Sequence, residues 1–88
     1  MNFEVVFSSQ SAKFLKKSSA DIRIRILKKI SELKTIPESG KNLKGKFSSK
    51  RSLRIGDYRI VYEIKGSTIL IVFIDHRKKV YGKLNYQL

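Results

Sequence analysis

The stretch 53-LRIGDYRIVYEI-64 decides how this chain folds. Two runs rich in Ile, Val and Tyr flank Gly56-Asp57, the signature of a hairpin with a two-residue turn. Closing the hairpin there sets Arg54 directly opposite Arg59. Like charges facing each other across a strand pair are destabilising, so the pair demands a counter-charge. Two readings stand: an anion bound between the guanidinium groups, or a solvated sheet face on which Glu63 or Asp57 offsets the repulsion. Tyr58 and Tyr62 share the period-2 face of Ile60 and Ile64, which reads as core.

The rest of the chain organises around this hairpin. After a turn near Lys65-Gly66-Ser67 comes TILIVFI, apolar on both faces, as expected of a central strand covered by helices on one side. Near the N-terminus, Phe3, Val5 and Phe7 alternate as a first strand. Ser8 or Ser9 then caps a helix whose inner face carries Ala12, Leu15 and Phe14. Ser18-Ser19 interrupts that helix, and Ser19 or Asp21 caps the next. Ile22, Ile26, Ile30 and Leu33 form one helical stripe, ended by Pro37 and Gly40. ESGKNLKGKFSSK reads as a polar loop with four lysines. The expected architecture is β-α-α-β-β-β over residues 1–88. It is a single α+β domain, a small mostly antiparallel sheet with an N-terminal helical hairpin packed on one face.

Composition narrows the function. The 88 residues allow one modest core, and 41% hydrophobic content is too high for a disordered chain. With no cysteine and one histidine, neither a disulfide, a thiolate nucleophile nor structural zinc has its ligands. MNFEVVFSSQ lacks the basic start and longer apolar run of a signal peptide, and ILIVFI is far too short to span a bilayer. A soluble cytoplasmic protein is the expectation. The formal net charge is +13, the mark of a polyanionic partner. Residues 1–40 carry eight basic and four acidic groups, residues 41–88 twelve and three. The excess therefore sits in the sheet half and not on one amphipathic helix, which favours nucleic acid over a membrane surface.

No P-loop, Rossmann glycine pattern, nucleophile elbow or HExxH is present. The seven carboxylates are scattered, so no metal cluster for phosphodiester cleavage is expected. Metal-free cleavage of RNA asks for less, because the 2′-hydroxyl is the nucleophile. The protein must align it, move protons and neutralise charge on the phosphorane-like transition state, a task suited to arginine. Directly after the central strand stands 75-DHRKKVY-81. His76 has the intrinsic pKa of a general acid or base, but a lone histidine among charges also reads as a plain surface residue. Arg77 suits either phosphate or Asp75, and Tyr81 either a stacked base or the edge of the core.

LRIGDYRIVYEI followed by DHRKKVY resembles the RelE/ParE superfamily of bacterial and archaeal toxins, the RelE branch more closely. The resemblance spans the chain and includes the AKFLKK helix, the proline after the second helix and the L-K-G turn at Leu43 to Gly45. It implies a toxin of a type II toxin–antitoxin system, a ribosome-dependent, metal-independent endoribonuclease that cleaves mRNA in the A site and inhibits translation. Arg59 would stabilise the transition state, Arg77 would contact phosphate or act as acid, and Tyr81 would stack on the cleaved nucleotide. His76 would supply acid–base chemistry, because the family's pair of alternating lysines is matched here by Lys50 and Ser52. Lys44, Lys46, Lys50, Arg51, Arg54, Lys78 and Lys79 would meet RNA. The implied partners are ribosome, mRNA and a RelB-like antitoxin that wraps the toxin. The toxin alone would be monomeric, and a heterotetramer or similar with its antitoxin. No cofactor, metal or membrane is implied. A ParE-type gyrase inhibitor and a non-catalytic basic RNA-binding module are the alternatives.

Overall fold

The computed structural model of the protein describes residues 3–79. Strand β1 (Glu4–Phe7) leads into helices α1 (Ser9–Lys17) and α2 (Ala20–Leu33). A two-residue strand β2 (Lys41–Asn42) precedes β3 (Lys50–Ile55), β4 (Tyr58–Lys65) and β5 (Thr68–His76). The sheet order is β1-β5-β4-β3-β2, with β1 parallel to β5 and every other pair antiparallel. This is the expected α+β architecture, with one addition. The lysine-rich loop contributes the edge strand β2 and two single 3₁₀ turns, Pro37–Ser39 and Gly45–Phe47.

Both hairpin turns are local products of the sequence. Gly56 and Gly66 take φ of +56° and +59°, and each opens a two-residue turn. With positive φ at the first central position only, both have the II′ pattern, whose twist matches the flanking strands. Ser8 caps α1 by accepting from the Ser11 N–H at 3.1 Å, and Ser19 caps α2 through the Ile22 N–H. Arg23 then ties the two helices together: its Nε donates to the Leu15 carbonyl at 2.8 Å and its Nη2 to that of Ser18 at 2.8 Å. Those are orphan carbonyls at the end of α1, satisfied by a cation where the helix dipole favours one.

Leu15, Ile26, Ile30 and Leu33 pack on Ile60, Tyr62, Ile69, Ile71 and Ile74 to form the main core. Leu15 is buried as expected, but Ala12 is exposed, and the other buried position on α1 belongs to Ser11. Its hydroxyl reaches the Ile71 carbonyl at 3.2 Å, so burial leaves it satisfied. The reason is the free edge of β5. β1 covers that edge only along Thr68 to Ile71. Beyond it, α1 side chains take over: Ser8 Oγ donates to the Val72 carbonyl at 2.7 Å, and the Gln10 amide both donates to and accepts from the Ile74 backbone, at 2.8 and 3.0 Å. Gln10→Ala should therefore cost about 1–2 kcal/mol, read as a fall in Tm of about 4–8 °C per kcal/mol. An unchanged Tm would mean that the edge is satisfied without Gln10.

Candidate functional site

The sheet face opposite the helices carries the site. β3 presents Lys50, Ser52 and Arg54 there, and β4 presents Glu63, Val61 and Arg59 in register with them. From β5, Leu70, Phe73 and Asp75 stand across from the same three β4 residues. The face has an apolar centre, since Val61 and Phe73 are buried under Leu43 and Phe47 from the lysine-rich loop. Charged side chains surround that centre.

Arg54 is opposite Arg59, as the hairpin requires. Their repulsion is relieved on both sides. Arg54 is exposed and bends back to the turn, donating from Nε to the Gly56 carbonyl at 3.0 Å. Arg59 is half-buried, donates from Nη1 to Ser52 Oγ at 2.9 Å, and has Asp75 directly across on β5. The two carboxylates expected to offset the pair are engaged elsewhere. Glu63 lies 3.9 Å from Lys50 Nζ, with both side chains nearly buried, and Asp57 lies 4.0 Å from Arg77 Nε at the exposed hairpin tip. Asp75 is the acidic side chain that the register places directly across from Arg59.

A bulge in β5 creates this arrangement. Counting back from the Gly66 turn in strict register would put Ile74 across from Arg59, and Asp75 on the helix side. The register shifts at Val61/Tyr62, where β5 carries one residue more than β4. Every later side chain of β5 therefore changes face. Asp75 arrives beside Arg59, while His76 goes to the helix side, edge-on to Tyr58 with ring centroids 6.0 Å apart. His76 and Arg59 thus point to opposite faces of the sheet. The His76 imidazole Nδ1 accepts from the Lys78 N–H at 3.3 Å.

The remaining candidates divide by location. Lys50 is on the site face, buried against Glu63. Arg51 faces the helix side and pins the loop before β2, donating to the Glu38 and Gly40 carbonyls at 3.3 and 3.0 Å. Lys44 and Lys46 are exposed on the loop that covers the apolar centre, and Lys46 Nζ sits 5.4 Å above the Phe47 ring. Arg77, Lys78 and Lys79 are exposed just after β5. Tyr81 lies outside the described residues. In the sequence Ser52 stands out only as a departure from the family's lysine pair, Asp75 only as a possible partner of Arg77, and Phe47 not at all; strand register places the first two beside Arg59.

Among the described residues no group of three His, Cys, Asp or Glu side chains is placed to hold a metal ion, and no helix is long and apolar enough to cross a membrane. The face offers guanidinium and ammonium groups around an apolar patch, donors whose chemistry matches phosphate oxygens. Because Lys50 is buried, Glu63→Gln should destabilise the fold by about 2–3 kcal/mol, and Lys50→Met combined with Glu63→Leu should recover most of that. Chemical denaturation of wild type, Glu63→Gln and the double variant checks this; a double variant no more stable than Glu63→Gln would mean that an unpaired buried Lys50 is not the source of the loss.

A five-stranded, mostly antiparallel sheet with a helical hairpin on one face and a cationic opposite face defines the RelE-like class of α+β fold. The family model described as ParE toxin of type II toxin-antitoxin system, parDE, matches residues 5–81. The chain belongs to this family, and is a type II toxin of the RelE/ParE superfamily. Among solved structures, it is similar to the RelB–RelE antitoxin–toxin complex of Methanococcus jannaschii, at 30% identity and TM-score 0.71 over 89% of this chain and 96% of that one. It is also similar to the RelBE2 toxin–antitoxin complex of Mycobacterium tuberculosis, at 27% identity and TM-score 0.78 over 88% and 100%. A free-state mutant of Escherichia coli toxin RelE shares the fold at TM-score 0.81 and 19% identity, over 100% of this chain and 99% of that one. No match was found among curated proteins.

Proposed function

We propose that this toxin is of the RelE type: a ribosome-dependent endoribonuclease that cuts mRNA in the A site. The observation that carries the reading is Arg59, held by Ser52 and opposite Arg54 on the sheet face that also carries Lys50. The reaction it fits needs no metal. The 2′-oxygen of one nucleotide attacks the adjacent phosphorus, the P–O5′ bond breaks, and the products are a 2′,3′-cyclic phosphate and a 5′-hydroxyl. Arg59 stabilises the extra negative charge on the phosphoryl oxygens in the transition state. The ribosome supplies the alignment of 2′-oxygen and phosphate, and cleavage of free RNA is correspondingly poor.

Arg54, Arg77, Lys44, Lys46, Lys78 and Lys79 contact the RNA backbone and ribosomal RNA, and Tyr81 stacks on the cleaved nucleotide. Arg51 contributes through the fold of the loop before β2. Proton transfer belongs to groups on the Arg59 face, of which Lys50 is one, and not to His76, which lies on the helix side of the sheet. A RelB-like antitoxin holds the toxin inactive, as the toxin–antitoxin complexes among the similar structures suggest, and the site of action is the cytoplasm.

The match to a family described by ParE favours one other reading, inhibition of DNA gyrase. Induction in cells followed by primer extension on translated mRNAs separates the two. Cuts at in-frame codon positions are expected. Intact mRNA together with a loss of DNA supercoiling would overturn the nuclease reading in favour of gyrase.

A further inference from the structure

Arg59 lies between two polar side chains, one from each flanking strand. On the β3 side, Ser52 is 4% exposed and its hydroxyl accepts from Arg59 Nη1 at 2.9 Å. On the β5 side, Asp75 is 8% exposed and stands directly across the antiparallel pair, on the same face. The carboxylate is itself fixed, because its Oδ1 accepts from the His76 backbone N–H at 2.7 Å. Asp75 occupies this position only because of the bulge in β5. A flexible four-bond side chain is thereby flanked on two sides before any ligand arrives.

We propose that Ser52 and Asp75 are positioning residues, which hold the Arg59 guanidinium in the orientation that meets the phosphoryl group in the transition state. Asp75 has a second effect. Its negative charge offsets the Arg54–Arg59 repulsion and weakens the attraction of the face for ground-state RNA. The clamp therefore gives up ground-state affinity and gains orientation, an exchange that raises kcat while letting KM rise. The catalytic half of this inference rests on the RNA-cleavage reading above; the orientation half does not.

Two measurements on the whole chain test it. The first is side-chain ¹⁵N NMR of arginine, with the Arg59 signal assigned by its loss in Arg59→Lys. Slow rotation of the guanidinium about Nε–Cζ is expected in the wild type, with severalfold faster rotation in Ser52→Ala and in Asp75→Asn. Equal rates in all three overturn the clamp, whatever the protein does to RNA. The second is single-turnover cleavage of mRNA on programmed ribosomes, with binding of a single-stranded RNA oligonucleotide followed in parallel. Ser52→Ala should slow cleavage on the order of ten- to a hundredfold with RNA binding unchanged. Asp75→Asn should slow cleavage similarly while binding the oligonucleotide more tightly, a split that a loss of folding does not produce. Ser52→Thr keeps the hydroxyl and should retain most of the rate. Wild-type rates in Ser52→Ala and Asp75→Asn, or equal slowing in Ser52→Thr and Ser52→Ala, overturn the positioning role. A wild-type chain that leaves programmed mRNA intact overturns the cleavage reading instead, and the clamp then stands or falls on the NMR result.

Discussion

Arg59→Ala is expected to abolish growth arrest on induction and to lower ribosome-dependent cleavage by at least about a hundredfold, the scale set by removing one transition-state charge stabiliser. The fold should survive the change. Arg59 is half-buried on the site face and belongs to neither the main core nor the Val61–Phe73 cluster. The group most affected is Asp75, which loses its cross-strand cation but keeps the His76 N–H at 2.7 Å. The Arg54–Arg59 repulsion disappears at the same time. A destabilisation of about 1–2 kcal/mol is therefore expected, visible as a lowered but still cooperative melt. Primer extension at matched expression decides the matter: equal arrest and equal cleavage by mutant and wild type would remove Arg59 from the reaction.

The second large effect concerns Tyr62, the biggest fully buried side chain of the core. Its hydroxyl donates to the Pro37 carbonyl at 2.7 Å and accepts from the Gly40 N–H at 2.9 Å. It thereby ties the end of the helical half to the start of the sheet half. The fit is close, since a Cβ added at Gly40 would lie 2.5 Å from the Tyr62 oxygen. Tyr62→Phe leaves a buried N–H and a buried carbonyl without this partner. It should cost about 2–3 kcal/mol, or about 4–8 °C in Tm for each of those.

Tyr62 also predicts a pH dependence. Burial pushes its phenol above the usual 10.0, opposed in part by the Gly40 N–H and by the charge of Arg51. The folded state thus holds this proton more tightly than the unfolded chain does. The resulting stability is fully present below pH 10 and is lost as pH rises through the raised value. The stability gap between wild type and Tyr62→Phe should be constant from neutral pH to about pH 9 and narrow above about pH 10. Urea melts across that range provide the check, and comparing the two proteins removes the common effect of lysine deprotonation. A gap that stays level to pH 11.5 would mean that the phenol is not held by the fold.

Much of this molecule was legible in its residues. Gly56-Asp57 and Gly66-Ser67 each dictate a two-residue turn, so the pairing of Arg54 with Arg59 follows from counting. The Ile22–Ile26–Ile30–Leu33 stripe announces α2 by its spacing, and Ser8 and Ser19 announce where the helices begin. From Ser52 to Ile55 in β3, and in β4 apart from Val61, polar and apolar residues alternate, so each side chain's face can be assigned from the turn without coordinates. Local sterics and period-2 patterning act within a few residues, and such information is carried by the residues themselves.

β5 carries no such information. ILIVFI (69–74) is apolar at every position, so a one-residue slip changes nothing in its pattern while exchanging the faces of all that follows. What fixes the register is contact with segments distant in sequence. Ser8, Ser11 and Gln10 of α1 bond the carbonyls of Ile71, Val72 and Ile74, and both Val72 and Phe73 settle into the Val61 cluster under Leu43 and Phe47. That packing produces the bulge, and the bulge decides that Asp75, not His76, stands beside Arg59. The sequence by itself determined the helical hairpin, the β3–β4 pairing and the cationic character of one face, because these follow from neighbours along the chain. Only the tertiary structure decided which acidic group stands across from Arg59, because a strand apolar on both sides takes its register from what packs against it.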